Sequence, residues 1–172
     1  MPIVEIRELA PKPGICGRLL GLDVGSRTLG LALSDETRTI ASALVTLRRG
    51  RFREDAASLA RLVAEHDVGG LVIGLPVSMN GNEGPRCQSV RQFAANLLAH
   101  VDLPMAFWDE RWSTVAIERM LVREADLSRK RRREVVDKSA AGYILQGALD
   151  HLAAQAQAQG ARAPARKDGG QT

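Results

Sequence analysis

Aromatic side chains are scarce in this chain of 172 residues: two Trp, one Tyr and three Phe. No alternating pair of them forms a platform for stacked bases, so recognition by base stacking on a sheet is not expected. Cysteine is scarcer still. Cys16 and Cys87 stand without partner spacing, and His66, His100 and His151 fall in separate segments, so neither a disulfide framework nor a Cys/His zinc site is implied. No apolar run approaches the roughly 20 residues that span a bilayer. The start, MPIVEIRELAPKPG, is charged and broken by proline rather than built like a signal peptide. A soluble, cytoplasmic protein with no membrane partner is expected.

What is present is a 45% hydrophobic composition, enough to build the core of one domain, and a net charge of +4. That charge is concentrated. RRGRFR, Arg48 to Arg53, lies between a strand pattern and a helix pattern, and RKRRR, Arg129 to Arg133, precedes the last helix pattern. Two basic clusters flanking elements that carry carboxylates point to binding of phosphate backbones, although a run of like charges is also what a solvated face looks like.

The chain divides into an N-terminal arm (residues 1–14), one domain (15–154) and a tail (155–172) whose biased composition, QAQAQGARAPARKDGGQT, predicts disorder. Alternation predicts strands over Gly17–Val24, Leu29–Ser34 and Ile40–Leu47, joined by turns short enough to make an antiparallel meander. A helical period covers Phe52 to His66 and is ended by Gly69-Gly70. Leu71–Leu75 is almost wholly apolar, as a central parallel strand would be. A glycine-containing loop, Pro76–Pro85, leads to a helix over Arg86–His100, then to a strand over Pro104–Trp108. Ser113 or Thr114 is placed to cap a helix reaching Glu124. In the last helix, Val135 to Ala154, Asp137 falls in line with Ala141, Ile144 and Ala148. The order predicts an α/β fold with a mixed five-stranded sheet, its first three strands antiparallel, and helices on both faces.

Within GRLLGLDVGSRTLGLALSD, Asp23 shares a strand face with Leu19 and Gly21 while Leu20, Leu22 and Val24 take the other. A carboxylate on a covered face is costly unless it is bonded, paired or holding a cation; a turn-capping role over Gly25 to Arg27 is the plainer alternative. The ends of the first strand and of the Pro104–Trp108 strand, together with the start of the last helix, can converge, bringing Asp23, Asp109 or Glu110, and Asp137 together. Converging carboxylates repel one another, and a hard divalent cation with oxygen ligands relieves that. Asp109 and Glu110 point to opposite faces if the strand continues, so only one can join the cluster; the longer Glu110 is favoured and Asp109 is left to cap the helix.

Four segments in this order, GLDVGSRTLGLALSD, LVIGLPVSMNGNEGPRCQSVRQFAANL, DERWST and VDKSAAGYILQGALD, resemble the YqgF/RuvX family. The resemblance covers most of residues 17–152 and implies a ribonuclease H-like fold. It implies a metal-dependent endonuclease, a hydrolase acting on ester bonds, that matures the 5′ end of precursor 16S ribosomal RNA in ribosome biogenesis. Resolution of Holliday junctions in DNA recombination is the alternative, and a catalytically silent nucleic-acid or ribosome-binding module a second one. Carried over residue by residue, Asp23, Glu110 and Asp137 become metal ligands for Mg²⁺ or Mn²⁺, with Asp109 as a further catalytic candidate. In such a site two ions about 4 Å apart bridge the scissile phosphate. Candidate phosphate contacts are Ser26, Arg27, Asn80, Arg111, Arg129, Lys130, Arg131, Arg132, Arg133 and Lys138. Arg111 and Lys138 can equally hold the carboxylates in place. The implied partners are structured RNA or branched DNA and ribosomal particles, with the protein a monomer or homodimer. Trp108 is expected in the core, as is Trp112, although Trp112 is also placed to stack on a sugar or base.

Overall fold

The computed structural model describes residues 2–11, 17–112 and 140–162. Its elements in chain order are β1 (Ile3–Val4), a 3₁₀ turn (Ile6–Leu9), β2 (Arg18–Val24), β3 (Thr28–Ser34), β4 (Ala41–Arg48), α1 (Phe52–Glu65), β5 (Val68–Leu75), α2 (Pro85–Leu97), β6 (Met105–Asp109) and α3 (Ala140–Arg162). Three residues separate β2 from β3, which leaves no room for a crossover, and the two pair antiparallel, as do β3 and β4. After β4 each strand is reached through a helix, and β5 and β6 accordingly run parallel to β2. The sheet order is β1-β6-β5-β2-β3-β4.

The sheet separates two cores by strand parity. On one face Leu20, Leu22, Leu71, Ile73 and Met105 pack with Leu59 of α1 and Val90, Phe93 and Leu97 of α2. On the other Leu19, Val72, Ala106 and Trp108 pack with Ala141, Ile144, Leu145 and Ala148 of α3. The buried stripe expected on the last helix is therefore present at Ala141, Ile144 and Ala148. That helix lies tight against the sheet over Gly21, where a Cβ would stand 2.7 Å from Leu145 Cβ and 3.1 Å from the Ala141 carbonyl oxygen.

Several boundaries differ from the sequence reading. The sheet has six strands rather than five because the N-terminal arm contributes β1, paired parallel to β6 through Ile3 with Met105 and Val4 with Ala106. A two-residue strand carries no period to detect. The arm is also anchored: Leu9 is fully buried, and the Arg38 guanidinium donates to the carbonyls of Leu9 at 2.7 Å and Gly17 at 2.9 Å. Gly69 and Gly70 belong to β5 instead of terminating α1, which ends at Glu65 with His66 as its C-cap, followed by Asp67 at φ 50°. A Cβ on Gly70 would meet Leu9 and Leu19 at 3.1 Å, so the bare backbone there makes room for the arm. Helix α3 runs past Ala154 to Arg162, taking in residues 155–162 of the predicted tail; alanine and glutamine favour helix, and the polar face of AAQAQAQ hides that from a hydrophobic pattern. Ser113, Thr114 and the helix expected to follow them, with residues 163–172, lie outside the described residues.

Candidate active site

Strand β6 decides which of two adjacent carboxylates meets Asp23. Ala106 and Trp108 face α3 while Phe107 packs on the opposite side. Period two then sends Asp109 away from α3 and returns Glu110 toward it. Asp23, on β2, pairs across the sheet with Gly30 of β3. On its other side lies Gly74, the residue after Ile73, which pairs with Leu22. Both glycines leave floor space. A Cβ on Gly74 would fall 2.8 Å from Glu110 Oε1 and 2.5 Å from Ile144 Cδ1; one on Gly30 would fall 3.5 Å from Asp23 Cβ and 3.6 Å from Ala141 Cβ. The two carboxylates therefore share a hollow over the C-terminal ends of β2, β5 and β6, roofed by the first turns of α3. Strand C-termini are where open α/β sheets take ligands.

The electrostatics agree with that proximity. Burial pushes the Asp23 carboxyl above its ordinary value, with the Arg86 guanidinium pulling the other way. Glu110 is raised too, by burial first, then by the charge of Asp23, against Arg86 and with a further push from Asp109. Two half-buried acids that repel each other favour keeping a proton or taking up a cation. Oxygen donors on one face, with no Cβ on Gly74 to crowd Glu110, fit a hard divalent ion of the Mg²⁺ type. Among the described residues no group of three or more His, Cys, Asp or Glu is arranged to hold a metal. The third expected ligand, Asp137, lies outside the described residues, as do Lys138 and the block from Arg129 through Lys130, Arg131 and Arg132 to Arg133.

Asp109 has a different setting. Its Oδ1 accepts from the Arg111 backbone N–H at 3.0 Å, where residues 110–112 are helical, and both oxygens accept from the Arg111 guanidinium, Nη2 reaching Oδ2 at 2.6 Å. Burial works against this carboxylate, but the Arg111 bonds outweigh it and its pKa lies below the ordinary value. The capping alternative for Asp109 and the ion-pairing alternative for Arg111 are thus the arrangements observed.

The remaining candidates sit at the same end of the sheet. Ser26 and Arg27 are exposed in the β2–β3 turn. Asn80 is exposed in the β5–α2 loop and spends its Oδ1 on the Asn82 backbone N–H at 3.1 Å. Arg48, Arg51 and Arg53 are exposed, whereas Arg49 is absorbed by the fold. Its Nη1 donates to the Gly25 carbonyl at 2.8 Å, its Nε lies 3.7 Å from buried Asp55, and its guanidinium stands 5.3 Å from the Phe93 ring centroid. Trp108 is buried as expected; Trp112, expected in the core, is 53% exposed and touches Trp108 edge-on. Sequence reasoning missed Arg86. Its only signal was its place beside Pro85 at the start of the helix leaving β5, whose crossover carries it to the carboxylate pair. Cys87 is structural: buried, with its thiol donating to the Pro76 carbonyl at 3.1 Å.

Known proteins resemble this chain. A family model described as RuvX, Holliday junction resolvase, matches residues 17–151. A protein of Paramagnetospirillum magneticum named "Putative pre-16S rRNA nuclease" is 60% identical over 151 residues, covering 88% of this chain and 97% of its own. A Phenylobacterium zucineum protein of the same name is 58% identical over 153 residues, covering 88% and 98%. Among solved structures, the yeast mitochondrial Holliday junction resolvase Ydc2 superposes with a TM-score of 0.53 at 9% identity, over 92% of this chain and 84% of that one. RuvC of T. thermophilus, solved with a Holliday junction substrate, gives 0.51 at 12% identity, over 81% and 96%. At such identities the structural likeness speaks for the ribonuclease H-like fold alone.

Proposed function

The chain belongs to the RuvX family, and from that premise we propose that it is a divalent-metal-dependent endonuclease that hydrolyses phosphodiester bonds in precursor 16S ribosomal RNA. The observation that carries this reading is the placement of Asp23 and Glu110 in one half-buried hollow against α3, where the Asp23 charge adds to burial in raising Glu110. Asp23 and Glu110, joined by Asp137, would hold Mg²⁺ or Mn²⁺. When bound, such an ion lowers the pKa of water and offsets charge on a phosphoryl oxygen. The protein's own residues do the rest. Asp23, on a central strand with neighbours paired on both sides, is the rigid reference point of the site. Glu110 approaches across Gly74, and α3 excludes water from the back of the hollow with Ala141 and Ile144. Arg86, near enough to lower the pKa of both acids, would offer a guanidinium to a phosphate brought to them. Among the described residues no helix is long and apolar enough to cross a membrane, and the relatives' names support a cytoplasmic role on ribosomal precursors.

The description of the matching family model favours a second reading, resolution of four-way DNA junctions. It requires two coordinated cuts and hence a symmetric dimer. The test is cleavage of a precursor 16S RNA fragment and of a four-way DNA junction by wild type and Asp23→Asn, with Mg²⁺ or Mn²⁺. RNA cleavage lost in the variant supports the first reading. Paired nicks confined to the junction replace it with the second, and nucleic-acid binding without cleavage of either would make the protein a silent binding module.

A further inference from the structure

Many of the described arginines are ion-paired: Arg7 with Glu5 at 2.8 Å, Arg18 with Glu36 at 3.3 Å, Arg61 with Glu65 at 3.7 Å, Arg91 with Glu83, and, nearer the carboxylate pair, Arg49 with Asp55 at 3.7 Å and Arg111 with Asp109 at 2.6 Å. Arg27, Arg48, Arg51 and Arg53 are exposed and, among the described residues, no carboxylate forms an ion pair with any of them. All four sit at one place. Arg27 is in the turn after β2; Arg48 ends β4 opposite Thr28; Arg51 is the N-cap of α1 and Arg53 lies in its first turn. That end of the sheet is also the end at which Asp23 and Glu110 meet.

Stability does not account for these positions. The start of a helix carries partial positive charge and prefers acids, yet Arg51 and Arg53 stand there, and Arg51 makes no side-chain cap. Two acids also occupy the first turn. Asp55 is buried and turned inward, accepting from the Gly50 N–H at 3.0 Å, while Glu54 is exposed and offsets part of the charge. The platform itself is stiff. The Arg49 N–H donates to the Arg27 carbonyl at 2.9 Å, and the Arg49 side chain ties Gly25 to Asp55 and Phe93, so the turn and the β4–α1 connection are held as one piece. Cations pre-placed on a rigid support lose less freedom when a ligand arrives.

We infer that Arg27, Arg48, Arg51 and Arg53 form a ridge that grips the RNA backbone flanking the scissile bond, on the β4 side of the carboxylate pair. The inference rests on the nuclease reading above and adds a direction to it. Strands β2 and β4 lie two spacings, about 10 Å, apart, so a strand leaving the hollow over Asp23 crosses β3 and meets the ridge within a few nucleotides. Such contacts position the backbone without reading sequence.

The test is equilibrium binding of an RNA hairpin with a single-stranded flank, in chelator so that nothing is cut, as a function of salt. The triple variant Arg48→Gln, Arg51→Gln, Arg53→Gln is compared with Arg7→Gln, Arg18→Gln, Arg61→Gln, which removes equal charge from the paired group. We expect the ridge variant to bind roughly 10–100-fold more weakly, with a salt slope lower by about 2, near 0.7 per single-strand phosphate. The control should stay within about threefold, and a triple Lys version of the ridge should recover most of the binding. Equal weakening in both triples, or wild-type binding by the ridge variant, overturns the inference. Wild-type protein that grips RNA through the ridge but never cleaves it in Mg²⁺ or Mn²⁺ sinks the nuclease reading and leaves the ridge standing. Failure of wild type to bind RNA removes both.

Discussion

At the end of the sheet where β2 begins, polar groups are matched with partners. Arg18 meets Glu36; the Ser34 hydroxyl accepts from the Leu19 N–H at 2.9 Å; Asp35 closes its turn by accepting from the Thr37 hydroxyl at 2.7 Å and from the Thr39 and Ile40 N–H groups. Gln146 of α3 reaches across to the Ala41 N–H and the Thr39 carbonyl. At the end where β2 stops, Arg49 pairs with Asp55 and Arg111 with Asp109, but like charges are gathered beside them: two acids whose carboxyls burial raises, and the exposed Arg27, Arg48, Arg51 and Arg53, with which no described carboxylate forms an ion pair. The same sheet supports both. The difference teaches that the second end is held against its own electrostatics by the packing behind it, which is the pattern expected where function overrides stability.

The strongest way to break this comparison is to remove one of the gathered charges. Asp23→Asn should reduce cleavage by roughly 10³-fold or more, about 4 kcal/mol of transition-state stabilisation, while RNA binding in chelator is unchanged or tighter. Glu110→Gln should follow it closely. Asp109→Asn, one residue away on the opposite face, should retain most of the cleavage and instead loosen the Arg111 clamp, lowering stability by about 1 kcal/mol. Single-turnover rates at saturating substrate separate the three. If Asp109→Asn were the inactive variant and Glu110→Gln the active one, the parity argument for β6 would be wrong.

That parity was legible in the sequence because β2 and β6 alternate cleanly: Leu20, Leu22 and Val24 fix the face of Asp23, and the adjacency of Asp109 and Glu110 allows only one of them into the cluster. The antiparallel start, the apolar β5 and the stripe on the last helix were legible for the same reason. What escaped had no periodic signature. Strand β1 is two residues long, the last turns of α3 are polar, and Gly69-Gly70 look like a helix stop although they open a strand. Arg86 and the pairing state of each arginine depend on which elements the crossovers bring together, and no local pattern encodes that. Arg49 shows the consequence, since it lies inside a basic cluster in the sequence yet serves as internal scaffold.

Packing that holds the charged end in place should be sensitive where α3 lies tight against the sheet. Gly21→Ala puts a methyl 2.7 Å from Leu145 Cβ and against the Ala141 carbonyl, backbone that yields only if α3 shifts. We expect a loss of about 1–3 kcal/mol in urea unfolding. Cleavage should fall further than stability explains, because Ala141 also walls the hollow. A stable variant with an unchanged rate would show that the position of α3 does not matter to the site.

The smallest effect sharpens the comparison most. Burial raises the Asp23 carboxyl, and burial together with Asp23 raises Glu110, so the native metal-free protein keeps these protons to a higher pH than the unfolded chain does. Unfolded carboxylates titrate near pH 4. Below that both states are protonated and the pair costs nothing; as pH rises toward the raised native values the unfolded state sheds protons first, and stability falls. Asp23→Asn should therefore raise the metal-free Tm by roughly 2–4 °C at pH 7 and leave it unchanged near pH 3.5. Added Mg²⁺ should raise the Tm of wild type more than that of the variant, since an ion that binds only the native state stabilises in proportion to its occupancy. A matching substitution at the satisfied end, Asp35→Asn, should do the reverse, because hydrogen bonds from Thr37, Ile40 and Thr39 hold that carboxyl below its ordinary value. Its loss should lower Tm at pH 7 and matter less as acid protonates the wild-type group. Parallel shifts in the two variants would mean that the two ends are alike, and the charged hollow would then need no cation to relieve it.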